Sequence, residues 1–243
     1  MLSEIILAVI QAVTEFLPVS SSGHLALVSN LISQPNLFFF SVLHVASLLA
    51  VVIFTRKEIV ELLSFDKKYA RLWIYLIVGT IPAGLVGYFF HDFFEAAFGS
   101  YLLLGVAFMA TGLILLSTKN TKVFSKLNVK NAFAIGVAQV GAILPGISRS
   151  GVTISSGMFL GLDREKATRF SFLLFIPLSL GAIFLESGNS YFSWGLVVSF
   201  FITLFLSLVF LNLLIRVIKK EKFWMFSFYC FLVGLVSLGL WFF

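Results

Sequence analysis

Two short stretches of this chain place ionisable and hydroxyl side chains inside otherwise apolar sequence: QAVTEFLPVSSSGHL (11–25) and LPGISRSGVT (144–153). Glu15 and Arg149 are the costly members. A charge at the centre of a bilayer is unfavourable by at least about 2.5 kcal/mol, so such residues read as functional. Arg149 does not shed its proton and suits an anion with several oxygens; its structural alternative is to cap helix carbonyls. Glu15 reads as a general acid/base or a metal ligand, against the alternative of a protonated packing residue. Gln11 precedes Glu15 by four residues, so on a helix the two share a face; plain interhelical hydrogen bonding is its other reading. His24 follows the serine cluster and is suited to attack phosphorus or protonate a leaving oxygen near neutral pH. Ser20, Ser21, Ser22 and Gly23 surround the first group, and Gly146, Ser148, Ser150, Gly151 and Thr153 the second. Their hydroxyls and backbone N–H groups either cap helices or bind substrate. Two helix N-termini and an arginine make a site for phosphate or diphosphate.

The remaining polar residues read more plainly. His44 is a packed residue or one that stands behind the site, and His91, beside Asp92 and Glu95, belongs to a solvated cluster. Cys230 and the phenylalanine runs are core or lipid-facing material. Pro82 and Pro177 are expected to kink their helices.

The elements that position these groups must lie in a membrane. The chain has 243 residues, 60% hydrophobic and 12% charged, with 30 Phe and a mean hydropathy of +1.06. A soluble domain carries roughly 25% charged residues, and a core of this size cannot bury so much apolar surface. A soluble enzyme and a disordered chain are both excluded. The single cysteine excludes a disulfide framework and a cysteine-based zinc site. No Lys or Arg precedes the first apolar run, so residues 1–30 are kept in the mature fold.

Six stretches, approximately 37–55, 72–90, 100–117, 168–185, 192–215 and 223–243, are long enough to cross about 30 Å of hydrocarbon. Four others, 2–17, 20–32, 131–144 and 150–162, are shorter and come in pairs broken by Pro, Gly and Ser. A half-helix of this kind reaches only about 20 Å. The economical reading is an all-α polytopic membrane protein: six transmembrane helices plus two re-entrant helix hairpins, approximately 2–32 and 131–162. The net charge of +6 then finds its place. With the first hairpin entering from outside and the second from the cytoplasm, every Lys and Arg except Arg149 falls in a cytoplasmic loop, and none falls in 33–36, 91–99 or 186–191. Both termini are then extracytoplasmic, in a multi-pass protein of the plasma membrane. A membrane surface, not nucleic acid, accounts for the charge. The single membrane domain 1–243 divides into halves 1–118 and 119–243 of opposite orientation, an inverted-topology repeat. At an offset of 128, Gln11 falls on Gln139, Ser20 on Ser148, Ser22 on Ser150 and Gly23 on Gly151.

The two signature stretches resemble those of the undecaprenyl-diphosphate phosphatase family, linked with bacitracin resistance. HVASLLAVVIFTRKEI (44–59), IPAGLVG (81–87) and REKATRFSFLLFIPLSLGA (164–182) are similar to the family's pattern as well. The resemblance implies six spans with two re-entrant pairs, a site open to the extracytoplasmic side, and removal of the terminal phosphate from a C55 polyprenyl diphosphate to regenerate the lipid carrier of cell-wall synthesis. It maps the family's site onto Gln11, Glu15, Ser21 and His24, then Ser148, Arg149 and Thr153. It also implies a divalent cation, Mg²⁺ or Ca²⁺, on Glu15. Many members carry Glu where this chain has Gln11, so one carboxylate of a two-carboxylate metal site is absent; the SSS triplet stands for the commoner Ser-Ser-Thr. The expected partners are the lipid substrate and membrane lipids, and a homodimer is compatible with the reading. The competing class is transport, because broken helices aimed at a midplane anion are also the architecture of carriers of polyprenyl phosphate or other anions.

Overall fold

The computed structural model describes residues 1–29, 37–64, 67–90, 97–185 and 192–242. Among them the chain is all-helical, with eleven α-helices: α1 Leu2–Thr14, α2 Ser21–Ser29, α3 Leu37–Phe54, α4 Arg56–Leu63, α5 Lys67–Phe89, α6 Tyr101–Ser117, α7 Val129–Gly141, α8 Arg149–Phe159, α9 Arg164–Leu185, α10 Trp194–Lys219 and α11 Phe226–Phe242. His91, Asp92 and Glu95 lie outside the described residues.

Local chemistry sets many of the boundaries. Ser100, Asn128, Ser148 and Ser193 each stand in extended conformation before a helix and accept the N–H three residues on, at Leu103, Asn131, Gly151 and Leu196, which satisfies a donor the helix cannot pair itself. Five stretches, Tyr69–Phe89, Tyr101–Asn120, Arg164–Ile183, Trp194–Lys219 and Phe223–Phe242, are long and apolar enough to cross a membrane. Their surfaces say the same. Along α5, Ile74, Ile77, Ile81, Leu85 and Tyr88 repeat at helical spacing and stay 48–62% exposed. In water this stripe would be a large apolar patch; in lipid it faces its solvent.

The segment after α3 differs from the expected loop. The chain bends by 74° at Thr55 and continues as α4. One face of α4 is anchored: Leu62 is buried, its carbonyl accepts from Trp73 Nε1 at 3.0 Å, and Glu58 pairs with Arg169 of α9. Charged residues expected in loops also extend the helices. Arg164 and Arg169 lie on α9 and Arg216 on α10, since a helix can outrun the hydrocarbon while long basic side chains reach the headgroups. Arg164–Glu221 at 2.7 Å and Lys219–Glu165 at 3.6 Å join the ends of α9 and α10.

Between helices the close approaches run through small residues, as expected where burial against lipid supplies no drive. α6 packs on α11 with Gly105 facing Gly234; a Cβ on either would sit 3.1 Å from the other's carbonyl oxygen. α5 packs on α7, where a Cβ on Gly136 would run into the Gly79 carbonyl. α1 packs on α10, where Thr203 donates to the Ala8 carbonyl at 3.3 Å. α3 packs on both α9 and α10, and α5 on α9. The main core gathers Phe16, Ile154, Phe172, Leu174, Leu211 and Leu214 around the inner face of α9. Pro82 and Pro177 lie inside α5 and α9.

Candidate functional site

The site is built where α1 breaks into α2 and α7 breaks into α8. Both breaks contain Pro followed by a serine cluster, and the two are fastened alike. Ser20 Oγ accepts from Gly23 N–H at 3.3 Å, and Ser148 Oγ accepts from Gly151 N–H at 3.1 Å. Ser20 and Ser22 hydroxyls lie 3.3 Å apart, and those of Ser148 and Ser150 3.2 Å apart. Each break also has one left-handed residue, Ser20 at φ 66° and Gly146 at φ 94°. For a serine that conformation costs on the order of 1–2 kcal/mol.

The breaks are also fastened to each other. Gly146 N–H donates to Ser20 Oγ at 3.1 Å, and Ser150 Oγ donates to the Leu17 carbonyl at 3.3 Å. A Cβ on Gly23 would lie 2.8 Å from Gly146 Cα, so this approach requires glycine. Thr111 of α6 pins the second break: its hydroxyl donates to the Gly146 carbonyl at 2.9 Å and accepts from Ser148 N–H at 3.1 Å.

Across this junction Arg149 pairs with Glu15. One carboxylate oxygen takes the guanidinium. The other accepts from Gln11 Nε2 at 2.9 Å and from Ser21 Oγ at 2.5 Å. The Glu15 side chain is 2% exposed and that of Arg149 25%, so the carboxylate is closed in while the guanidinium keeps an open edge. The Arg149 guanidinium also lies over the Phe175 ring, 4.0 Å from its centroid, a further cationic contact. Four expected residues, Gln11, Glu15, Ser21 and Arg149, therefore meet in one cluster. His44 on α3 has its Nδ1 3.1 Å from the Phe40 carbonyl.

Other expected residues stand elsewhere. His24 does not bond Glu15. Its Nδ1 is 2.7 Å from the Ser20 carbonyl and its Nε2 2.8 Å from the Tyr229 hydroxyl. Thr153 lies one turn into α8, donating to the Arg149 carbonyl at 2.8 Å, with the Ser171 hydroxyl 2.6 Å away; it supports the arginine's backbone. Ser148 N–H and Gly151 N–H are occupied within the chain, so of the N–H groups at 148–151 those of Arg149 and Ser150 are left for an anion. Cys230 is buried, with Sγ 3.7 Å from the Pro18 carbonyl. Tyr229, Thr111, Phe175 and Ser171 were not singled out from the sequence. The signal for Tyr229 and Thr111 is a hydroxyl set in an otherwise apolar span.

For a divalent cation the relevant donors are oxygens. Among the described residues no three His, Cys, Asp or Glu side chains come together. Glu15 is joined by the Ser21 hydroxyl and by the Gln11 side chain, which turns its Nε2 to the carboxylate; Gln11 Oε1 is a buried oxygen with no hydrogen-bond partner. A carboxylate, a hydroxyl and an unpaired amide oxygen are the donor types that a hard cation takes.

Fold and site together define a polytopic, helical membrane protein with a buried glutamate–arginine junction between two helix breaks. The profile of the family described as bacitracin resistance protein BacA matches residues 4–236, and the chain belongs to that family. It is similar to proteins named undecaprenyl-diphosphatase: 40% identical over 242 residues to one from Methanococcus maripaludis, covering 96% of this chain and 97% of the relative. The relative from Thermosipho africanus is 37% identical over 244 residues, covering 97% and 98%. The one from Christiangramia forsetii is 40% identical over 252 residues, covering 96% of each.

Proposed function

We propose that this chain hydrolyses undecaprenyl diphosphate to undecaprenyl phosphate and inorganic phosphate, recycling the lipid carrier of cell-wall synthesis and giving bacitracin resistance. The observation that carries the reading is the Glu15–Arg149 pair, which joins both helix breaks at one point. Relatives similar over nearly their whole length carry a hydrolase's name, which favours hydrolysis over transport.

The diphosphate head enters at the open edge of Arg149. The guanidinium and the N–H groups of Arg149 and Ser150 hold the terminal phosphoryl group and balance charge on its equatorial oxygens. His24 Nε2 attacks phosphorus; the bond to the bridging oxygen breaks, and undecaprenyl phosphate leaves with the electron pair. Water then attacks the phosphohistidine, Glu15 takes its proton, and phosphate departs with His24 restored. Glu15, Gln11 Oε1 and Ser21 would hold a Mg²⁺ or Ca²⁺ ion that adds charge neutralisation on the phosphoryl oxygens. The hydrogen bond from Ser21 to Glu15 favours a second assignment, with Ser21 as nucleophile and Glu15 as its base. Acid quenching separates the two: a phosphohistidine is lost in acid and a phosphoserine survives.

The membrane arrangement belongs to the same proposal. Six spans and two re-entrant hairpins form an inverted repeat in the plasma membrane, with both termini and the site opening on the extracytoplasmic side. The helix partners support it: taking α1, α2, α3, α5 and α6 as counterparts of α7 to α11, α1 on α10 mirrors α7 on α5, and α3 on α10 mirrors α9 on α5. The reciprocal Gly105–Gly234 contact lies where α6 meets its own counterpart.

The test is phosphate release from C55 diphosphate by the purified protein, with and without EDTA, beside Glu15→Ala, His24→Ala and Arg149→Ala. Cation-dependent turnover that each variant loses is expected; no turnover by folded wild-type protein overturns the reading.

A further inference from the structure

His24 is held at both ring nitrogens. The partner of Nδ1, 2.7 Å away, is the Ser20 carbonyl oxygen, which can only accept, so Nδ1 carries the proton. In the neutral ring Nε2 is then a lone pair, and the Tyr229 hydroxyl at 2.8 Å donates into it. The two rings lie 7° from parallel with centroids 5.6 Å apart. Phe108 meets the imidazole edge-on at 5.1 Å. The anchors are unrelated in sequence. Ser20 is the left-handed residue before α2, and its conformation aims the carbonyl at His24. Tyr229 comes from α11, 205 residues further along. Its neighbours in the FSFYCF stretch show that α11 here is otherwise built from Phe, Ser and Cys. A phenylalanine would fill the same space; only the hydroxyl explains the contact with Nε2.

We propose that Tyr229 is a positioning residue for the hydrolysis. Its hydroxyl, opposite the Ser20 carbonyl, holds His24 as the Nδ1–H tautomer and aims Nε2, the nitrogen that attacks phosphorus. It also covers that lone pair until the diphosphate takes the hydroxyl's place. This rests on the role of His24 proposed above. The proton that stays on Nδ1 through the attack is the one bonded to Ser20, so that contact serves both the resting ring and the phosphorylated one.

The experiment uses Tyr229→Phe, which removes the hydroxyl and keeps the ring. Steady-state kinetics on C55 diphosphate in detergent are expected to show kcat lower by about tenfold or more, with KM unchanged or lower because no hydroxyl has to be displaced. In ¹⁵N-histidine spectra the His24 signals, assigned by their loss in His24→Gln, are expected to report Nδ1–H with a hydrogen-bonded Nε2 in wild type. In Tyr229→Phe the Nε2 resonance moves and some Nε2–H form appears. A kcat within twofold of wild type, or a raised KM at unchanged kcat, overturns the assignment. So does a wild-type His24 that carries its proton on Nε2, a readout independent of whether the variant folds. The levels of failure stay separate. Absence of wild-type turnover overturns hydrolysis itself, full turnover by His24→Gln overturns the role of His24, and full turnover by Tyr229→Phe alone overturns Tyr229.

Discussion

At the residue scale, Glu15 and Arg149 stabilise each other, and the proposed chemistry draws on both. With Glu15 enclosed at 2% exposure, removing either partner leaves a charge without its counter-ion, which costs about 3–5 kcal/mol in a buried pair. The open edge of Arg149 places the loss of Glu15 at the lower end. Glu15→Gln is expected to lower the thermal unfolding temperature in detergent, and adding Arg149→Met to recover part of that loss. Both variants should be inactive, with phosphate release down on the order of 10²–10⁴-fold. Gln11 is the second residue whose identity matters. Its Oε1 has no partner, and a carboxylate there adds a charge to the donor set. Gln11→Glu is expected to lower the Mg²⁺ concentration that restores half activity after EDTA on the order of tenfold; a titration of activity against free cation measures it.

At the element scale, what matters is that two broken helices are held end to end. Gly146 and Thr111 are among the residues that hold the junction. Gly146 sits at φ 94°, and a Cβ there would lie 2.7 Å from Ala107 Cβ. Gly146→Ala should therefore destabilise the protein by roughly 1–3 kcal/mol and lower activity, because the N–H that reaches Ser20 moves with it. Thr111 serves both sides of the same turn. Thr111→Val loses a donated and an accepted bond in a buried place, about 1–3 kcal/mol, while Thr111→Ser keeps both. Unfolding midpoints of the pair separate the hydroxyl from the methyl group. These effects fall on the breaks rather than on the spans, since the spans pack through many interchangeable apolar contacts.

At the scale of the whole molecule, the arrangement in the membrane is open to a direct measurement. Cys230 is the chain's single cysteine and is buried, so Cys230→Ser supplies a clean background. A cysteine at Phe192, which is 74% exposed two residues before α10, should react with an impermeant maleimide on intact cells. A cysteine at Lys122, between α6 and α7, should react only after the membrane is opened. The opposite pattern inverts the molecule and moves the site's opening to the cytoplasm. A bulky residue at Gly105 or Gly234 is expected to loosen the contact between α6 and α11, the more so at Gly105, where a Cβ would lie 2.6 Å from Leu238 Cγ against 3.0 Å from Met109 at Gly234.

Much of this protein is decided by local order. Helix positions, the two breaks and their serine caps follow from apolar runs, prolines and side-chain hydroxyls within a few residues of one another. The shared face of Gln11 and Glu15 follows from one helical turn. The same locality limits what the sequence carries. Whether α4 would form in a stretch that reads as a basic loop depended on Leu62, Trp73 and Glu58 finding partners. Glu15 and Arg149 are 134 residues apart, and nothing in either neighbourhood says that they pair. Tyr229 stands in a run of phenylalanines with no sign of His24. Those encounters depend on which helices touch, and that is settled where glycines and other small residues let two backbones close. The sequence by itself determined which chemistry is present and on which helices it rides; only the tertiary structure decided which groups share a hydrogen bond.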